Sequence, residues 1–166
     1  MTTGSLGQGL SAGAGAALGL RLDGRNSYVY VIVGDGELQE GQVWEAAMFA
    51  AHNKLDNLVV IVDNNNLQID GAISDVMSPY PIDEKFQAFG FEVVHCDAHD
   101  FDSIAAAFNY ARTVKGKPTA IVAKSVKGKG VSFMENQVGW HGKAPNDAEY
   151  EQAMSELNAQ LAELEG

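Results

Sequence analysis

Two loops of this chain carry residues suited to gripping a phosphorylated ligand through a cation. Gly34-Asp35-Gly36 closes the β-branched and aromatic run Tyr28 to Val33 and leads into a helical pattern. Its glycines let the backbone approach a diphosphate closely, the helix start offers unpaired N–H groups, and Asp35 adds a hard oxygen ligand. The second loop, Asp63-Asn64-Asn65-Asn66-Leu67, closes the run Leu58 to Val62 and offers amide and carbonyl oxygens. Asp35 and Asn65 stand thirty positions apart. A strand-helix-strand traverse of that length returns the chain to the same sheet edge, so the two sets of oxygens can share one ion. Mg²⁺ takes octahedral oxygen coordination and commonly meets phosphate through only one or two protein side chains. Gly-Asp-Gly by itself is common in ordinary turns. Paired with Asn65 one strand later, it becomes specific.

The elements that must position these loops are legible from periodicity. Tyr28 to Val33 and Leu58 to Val62 read as buried strands, and Gln39 to Lys54 between them places Val43, Ala46, Ala47, Ala50 and Ala51 at helical spacing. Farther on, Glu84 to Phe89 reads as a short helix, Phe91 to His95 as a strand, Phe101 to Val114 as an amphipathic helix and Thr119 to Ser125 as a last strand. Alternating strands and helices predict an α/β fold, a mostly parallel sheet covered on both faces. Asp147 to Leu164 carries Tyr150, Met154, Leu157, Leu161 and Leu164 at the spacing of an amphipathic surface helix. The opening is unusual: Thr2 to Leu10 runs into a Gly/Ala-rich helix ending near Leu22, with no strand before it. Six glycines between Gly4 and Gly19 cost helix propensity. Close backbone approach to another helix or to a ligand offsets that cost, and so does tight packing within the domain.

Composition bounds the function classes. Twenty-two acids against eleven Lys and Arg give a net charge of −11, which argues against nucleic acid or an anionic membrane as the general partner. With 46% apolar residues the chain can bury a core, and 166 residues fit one domain. The uncharged stretch Met1 to Leu20 lacks a basic leading segment and is broken by polar residues, so it reads as neither signal peptide nor membrane span. The lone Cys96 rules out an internal disulfide, and a reducing, cytoplasmic setting is the default expectation. Seven of the eleven bases fall between Arg112 and Lys143. On charge alone, a bound anion and a merely solvated face are equally compatible with that run.

The residues between the loops narrow the reading. Gly34-Asp-Gly-Glu-Leu-Gln-Glu-Gly-Gln-Val-Trp-Glu-Ala-Ala47, Lys54-Leu-Asp-Asn-Leu58 and Leu67-Gln-Ile-Asp-Gly71 resemble the transketolase family. So do Thr3-Gly-Ser-Leu-Gly-Gln-Gly9 and Trp140-His-Gly-Lys-Ala-Pro145. The resemblance runs from Thr2 to about Tyr150 and is greatest to the separate N-terminal subunit of split bacterial transketolases. It implies a three-layer thiamine diphosphate-binding fold of the pyrophosphate type. It also implies thiamine diphosphate with Mg²⁺ (or Ca²⁺) as cofactors, and transfer of a two-carbon ketol unit between sugar phosphates. Asp35, Asn65 and the Leu67 carbonyl correspond to metal ligands, and Gly36 and Asn65 also to diphosphate contacts. Gly4, Ser5 and Leu6 correspond to the loop along the cofactor's pyrimidine and thiazolium side. Lys127 and His141 match cofactor-binding positions, His141 also facing the reacting centre, while Glu40 and Glu45 match acids that connect two active sites across a dimer interface.

Family members of this type need a pyrimidine-binding C-terminal section, here a partner chain, giving a homodimer or a heterotetramer. The family's domain begins before Thr3 with a strand and substrate histidines, so the resemblance implies a chain lacking that leading segment. This leaves a non-catalytic remnant of the same fold as the competing expectation. Deoxyxylulose-phosphate synthase is the alternative within thiamine enzymes; Glu-Leu-Gln-Glu-Gly-Gln-Val-Trp favours transketolase. Asp63-Asn64-Asn65-Asn66 departs from the family's usual Asp-Arg-Asn-Gly, although Asn66 tolerates the left-handed backbone that Gly would adopt.

Overall fold

The structure, a computed structural model, describes residues 2–165. Helix α1 (Gln8–Leu22) leads into strand β1 (Val29–Gly34), a 3₁₀ turn (Gly36–Gln39), helix α2 (Gly41–His52) and strand β2 (Leu58–Asn64). A small hairpin, β3 (Leu67–Gln68) with β4 (Gly71–Ala72), follows the second loop and runs into α3 (Ile73–Val76) and α4 (Ile82–Ala88). The chain then forms β5 (Glu92–Asp97), α5 (Phe101–Thr113), β6 (Thr119–Lys124) and, after a long loop, α6 (Asp147–Glu165).

The main sheet is fully parallel, in the order β1-β2-β6-β5. Side chains alternate along its strands between two cores. Val31, Val33, Val60, Val62 and Val122 pack under α1, α2 and α4 with Leu10, Ala14, Val43, Ala47 and Phe86. On the other face Val59, Ile121 and Cys96 pack under α5 with Ala107 and Ala111. The change of face follows from handedness. The chain progresses across the sheet from β1 through β2 to β5 and then turns back to β6, and a right-handed crossover in the reverse direction must lie on the opposite face. The expected α/β fold with helices on both faces is therefore what forms. α5 starts cleanly because Asp100 caps it, accepting from the N–H groups of Asp102 and Ser103.

One glycine of α1 has a packing reason within the domain. A Cβ at Gly13 would overlap Val31 Cγ2, so its absence lets the helix lie close on β1, whereas Gly15 and Gly19 meet nothing within 4 Å. The final helix departs from its pattern. Tyr150, Leu157, Leu161 and Leu164 remain exposed, and Ala153 is the buried apolar residue of α6. Polar contacts hold the helix instead: Glu156 accepts from the Ser132 N–H and hydroxyl, each at 2.7 Å, and Gln160 Nε2 donates to the Gly130 carbonyl at 2.8 Å. α6 thus clamps the loop that follows β6. No helix of the described residues is long and apolar enough to cross a membrane.

Candidate functional site

β1, β2 and β6 run parallel, so their carboxyl ends meet along one edge, where ligands of such sheets collect. The Asp35 N–H donates to the Asp63 carbonyl at 3.2 Å, joining the first two loops directly. The Asp35 side chain turns inward and is 1% exposed. One of its oxygens accepts from the Gly36 N–H at 2.8 Å, the other from the Asn66 N–H at 2.6 Å and the Asn64 amide at 3.1 Å. Burial pushes the Asp35 carboxyl above its ordinary value, the three donors oppose that shift, and the like charge of Asp63 adds to it. Asn65 is 8% exposed; its Oδ1 accepts from the Leu67 N–H at 3.0 Å, folding Leu67 back beneath the amide.

This donor set fits a divalent cation. Asp35 and Asp63 stand together, and among the described residues no Lys, Arg or His pairs with either. A buried carboxylate held by neutral donors beside a second carboxylate is poorly compensated, and a hard cation would supply the missing charge. The Asn65 amide oxygen keeps a second lone pair beyond its bond to Leu67. Gly36 supplies the bare backbone a diphosphate needs; a Cβ there would come within 3.1 Å of Gln68 Cβ.

The loop after β6 docks on the same edge. The Ser125 N–H donates to the Asn64 carbonyl at 3.2 Å and its hydroxyl donates to Asp63 Oδ1, so Lys127, half-buried two residues on, is carried toward the Asn65 loop. It is Lys129 that pairs with Glu135, at 3.5 Å, leaving the Lys127 ammonium without a carboxylate among the described residues. Gly4, Ser5 and Leu6 form an exposed turn tied back to the same place. Glu37 makes that tie by accepting from the Gly7 N–H at 2.7 Å and the Gly34 N–H at 3.1 Å, and Gln42 Nε2 donates to the Leu6 carbonyl at 2.7 Å.

No hydrogen bond or ion pair among the described residues links His141, Glu40 or Glu45 to the Asp35 and Asn65 loops. His141 is exposed beside Trp140, whose ring lies tilted by 60° against Phe133 and carries Lys143 Nζ 4.2 Å from its centroid. Glu40 precedes α2 without capping it, and Glu45 is exposed on the outer face of that helix.

Sequence reasoning missed the supports of the site. Glu37 follows Gly36 directly and could have been read as a first-turn acid accepting backbone N–H groups. Tyr80 carried no such signal: its hydroxyl accepts from the Asn64 amide at 2.7 Å and donates to Asn66 Oδ1, bracing both loop residues. Gln39 Nε2 reaches Gln68 Oε1 at 2.5 Å and the Met77 carbonyl at 2.6 Å, fastening the hairpin to the 3₁₀ turn. Beside the Asn65 loop opens a cleft of ≈ 670 Å³, walled by Asn64, Asn66, Tyr80, His95, Asp97 and Lys124.

Comparison with known proteins agrees with this geometry. Residues 1–163 match the family model described as "Transketolase, thiamine diphosphate binding domain". The chain is 42% identical over 162 residues to the 6-deoxy-6-sulfo-D-fructose transketolase subunit of Clostridium sp. (strain MSTE9), covering 98% of this chain and 59% of that protein. It is 42% identical over 157 residues to an apulose-4-phosphate transketolase subunit of Actinobacillus succinogenes, covering 95% of this chain and 56% of that one. The crystal structure of the Campylobacter jejuni transketolase superposes with a TM-score of 0.87 at 32% identity, covering 94% of this chain and 26% of that one. The chain thus spans somewhat over half the length of the subunits it matches. On the match over residues 1–163 and the geometry of its two loops, the chain belongs to the transketolase thiamine diphosphate-binding family.

Proposed function

We propose that this chain supplies the diphosphate-binding half of a two-chain transketolase, which moves a two-carbon ketol unit from a ketose phosphate to an aldose phosphate. The observation that carries this reading is the buried Asp35 carboxylate, held by neutral donors beside Asp63, on a loop hydrogen-bonded to the Asn65 loop. Asp35, the Asn65 amide oxygen and the Leu67 carbonyl would hold Mg²⁺ (or Ca²⁺), and the Gly36 backbone and Asn65 would meet the diphosphate. Lys127 would balance diphosphate charge, and Gly4, Ser5 and Leu6 would line the cofactor's ring side. When bound, thiamine diphosphate supplies a nucleophilic carbon that accepts and releases the two-carbon unit, while the protein supplies orientation and electrostatics.

His141 is the chain's candidate for moving a proton at the reacting sugar oxygen, its exposed ring being free to swing over a bound cofactor. Glu40 and Glu45 are candidates for coupling paired sites across a subunit contact. A pyrimidine-binding partner chain completes the centre, and the relatives named as transketolase subunits support that dependence. Residues 1–166 are read as one cofactor-binding domain.

Calorimetric titration of thiamine diphosphate with Mg²⁺ into the chain and its partner tests the assignment. Asp35→Ala is expected to weaken binding about 100-fold or more, the cost of removing one member of a buried charge pair being about 3–5 kcal/mol. Unchanged affinity in that variant refutes the site. Ketol transfer by the mixed chains, absent from either alone, tests the activity.

A further inference from the structure

The Asp35 carboxylate is held unequally at its two oxygens. An ionised carboxylate offers about two acceptor positions on each oxygen. Oδ2 fills both, taking the Asn66 N–H at 2.6 Å and the Asn64 amide at 3.1 Å, whereas among the described residues Oδ1 takes only the Gly36 N–H at 2.8 Å. Oδ1 is thus the oxygen with an acceptor position to spare.

The two residues that fill Oδ2 are themselves held by one hydroxyl. Tyr80 accepts from the Asn64 amide at 2.7 Å and donates to Asn66 Oδ1. Chemistry sets the direction of each bond. The Asn64 atom facing Asp35 is its nitrogen, because a carboxylate only accepts, and the same nitrogen gives its second hydrogen to Tyr80. Having accepted there, the Tyr80 hydroxyl turns its single proton to Asn66. Tyr80, Asn64, Asp35 and Asn66 therefore close a ring of hydrogen bonds.

Distant segments have to meet to build this ring. Asn66 holds φ 65, a left-handed state, and Tyr80 stands fourteen positions on, past the hairpin and α3. Tyr80 is fixed in turn from α4: Ile82 is buried in the core under that helix, and Lys85 Nζ donates to the Pro79 carbonyl at 2.5 Å. One hydroxyl on a 41% exposed side chain thus ties the packed start of α4 to a carboxylate that is 1% exposed.

We propose that Tyr80 is a positioning residue for the cation, holding Asn64 and Asn66 on Asp35 Oδ2 so that Oδ1 is the oxygen left to coordinate. The inference rests on the cation site of the proposed function. Without the hydroxyl, Asn64 and Asn66 are free to turn, their grip on Oδ2 loosens and the carboxylate loses its fixed direction. A cation that demands near-ideal octahedral geometry binds less tightly to a ligand so released.

Mn²⁺, which takes the same oxygen ligands as Mg²⁺, is the probe. It is titrated into the chain and its partner at saturating thiamine diphosphate, and the free ion is counted by its electron paramagnetic resonance signal. Tyr80→Phe keeps the aromatic ring and should weaken Mn²⁺ about tenfold at unchanged stoichiometry, while saturating Mn²⁺ should restore the wild-type affinity for thiamine diphosphate. A merely structural loss would instead lower the number of sites, or leave diphosphate affinity impaired at saturating ion. In a chain carrying Asn64→Ala and Asn66→Gly, which removes the side chains through which the hydroxyl acts, Tyr80→Phe should change Mn²⁺ affinity by less than about twofold. Wild-type affinity in Tyr80→Phe, or an undiminished loss in the doubly substituted chain, overturns the positioning role. Asp35→Ala tells this failure from that of the site. If Asp35→Ala binds Mn²⁺ as wild type does, the cation site fails and the proposal with it; if Asp35→Ala loses the ion while Tyr80→Phe keeps it, only the role of Tyr80 falls.

Discussion

At the scale of single residues, the site works by keeping Asp35 dry and Asn66 in an unusual backbone state. Burial, the largest influence on Asp35, raises its carboxyl above the ordinary value of 3.8. At the proposed metal site a proton would therefore compete with the cation at higher pH than it would at a surface aspartate. On that proposal, metal affinity would be full above the raised pKa and lost as pH falls through it. Mg²⁺ titrations at fixed thiamine diphosphate across a pH series should show that loss. Asp35→Asn serves as the reference for protonation of the cofactor itself, and a wild-type profile parallel to that reference contradicts the competition. Asn66 sits at φ 65, in the left-handed region, and its Oδ1 accepts from Tyr80. Asn66→Ala should cost about 1.5–3 kcal/mol, combining the left-handed penalty with one lost hydrogen bond. Asn66→Gly, which meets no backbone penalty, should cost about 1 kcal/mol. Urea denaturation of the two variants gives the comparison, and equal losses would remove the backbone explanation.

At the scale of elements, α1 carries glycines for more than one reason. Gly13 lies against β1 where a Cβ would overlap Val31, so Gly13→Ala should destabilise by about 1–3 kcal/mol despite its better helix propensity. Gly15 faces open space, and Gly15→Ala should stabilise by about 0.5–1 kcal/mol. Thermal denaturation of both resolves the point; two shifts of the same sign would contradict the packing reading. Most of the elements were legible in the sequence because each kept one period. The run around Val60 is buried on both faces, the run around Val31 alternates between a buried and an exposed face, and Val43 to Ala51 keeps helical spacing. The 3₁₀ turn and the Leu67 to Ala72 hairpin were not, since Gln39, Gln68 and Tyr80 hold them through side-chain bonds that leave no periodic trace. That the two loops meet was legible through Asp35 and Asn65, whose pairing lies in residue type and spacing. Their bracing by Glu37 and Tyr80 depends on how distant segments meet. α6 forms as the surface helix its spacing predicts, but polar bonds to Ser132 and Gly130 help hold it while Leu157 and Leu161 stay 40% and 51% exposed.

At the scale of the whole molecule, the described residues leave apolar surface in places that matter for assembly. β1 pairs only with β2 among them, and Ile32 on that strand is 75% exposed. On α2, Glu45, Met48, Phe49 and His52 recur at i, i+3, i+4 and i+7, a single exposed stripe; Met48 is 53% and Phe49 41% exposed. Ser11, Ala12, Gly15 and Ala16 give α1 an outer face of small residues across which another backbone can approach. A helix stripe with two large apolar side chains facing water is unfavourable in a monomer, and covering it would contribute about 1.5–3 kcal/mol for each side chain fully buried. Subunit contact through this face would also carry Glu45 to the junction where the family pattern places it. Sedimentation equilibrium should therefore show the chain associating at micromolar concentration. Phe49→Glu, which sets a charge in the stripe without touching the cores, should raise the dissociation constant about tenfold or more. A wild-type chain that sediments as a monomer at those concentrations counts against the stripe as a contact. A Phe49→Glu chain that associates as tightly as wild type moves the contact elsewhere, to the β1 edge, where Ile32→Glu is the corresponding probe.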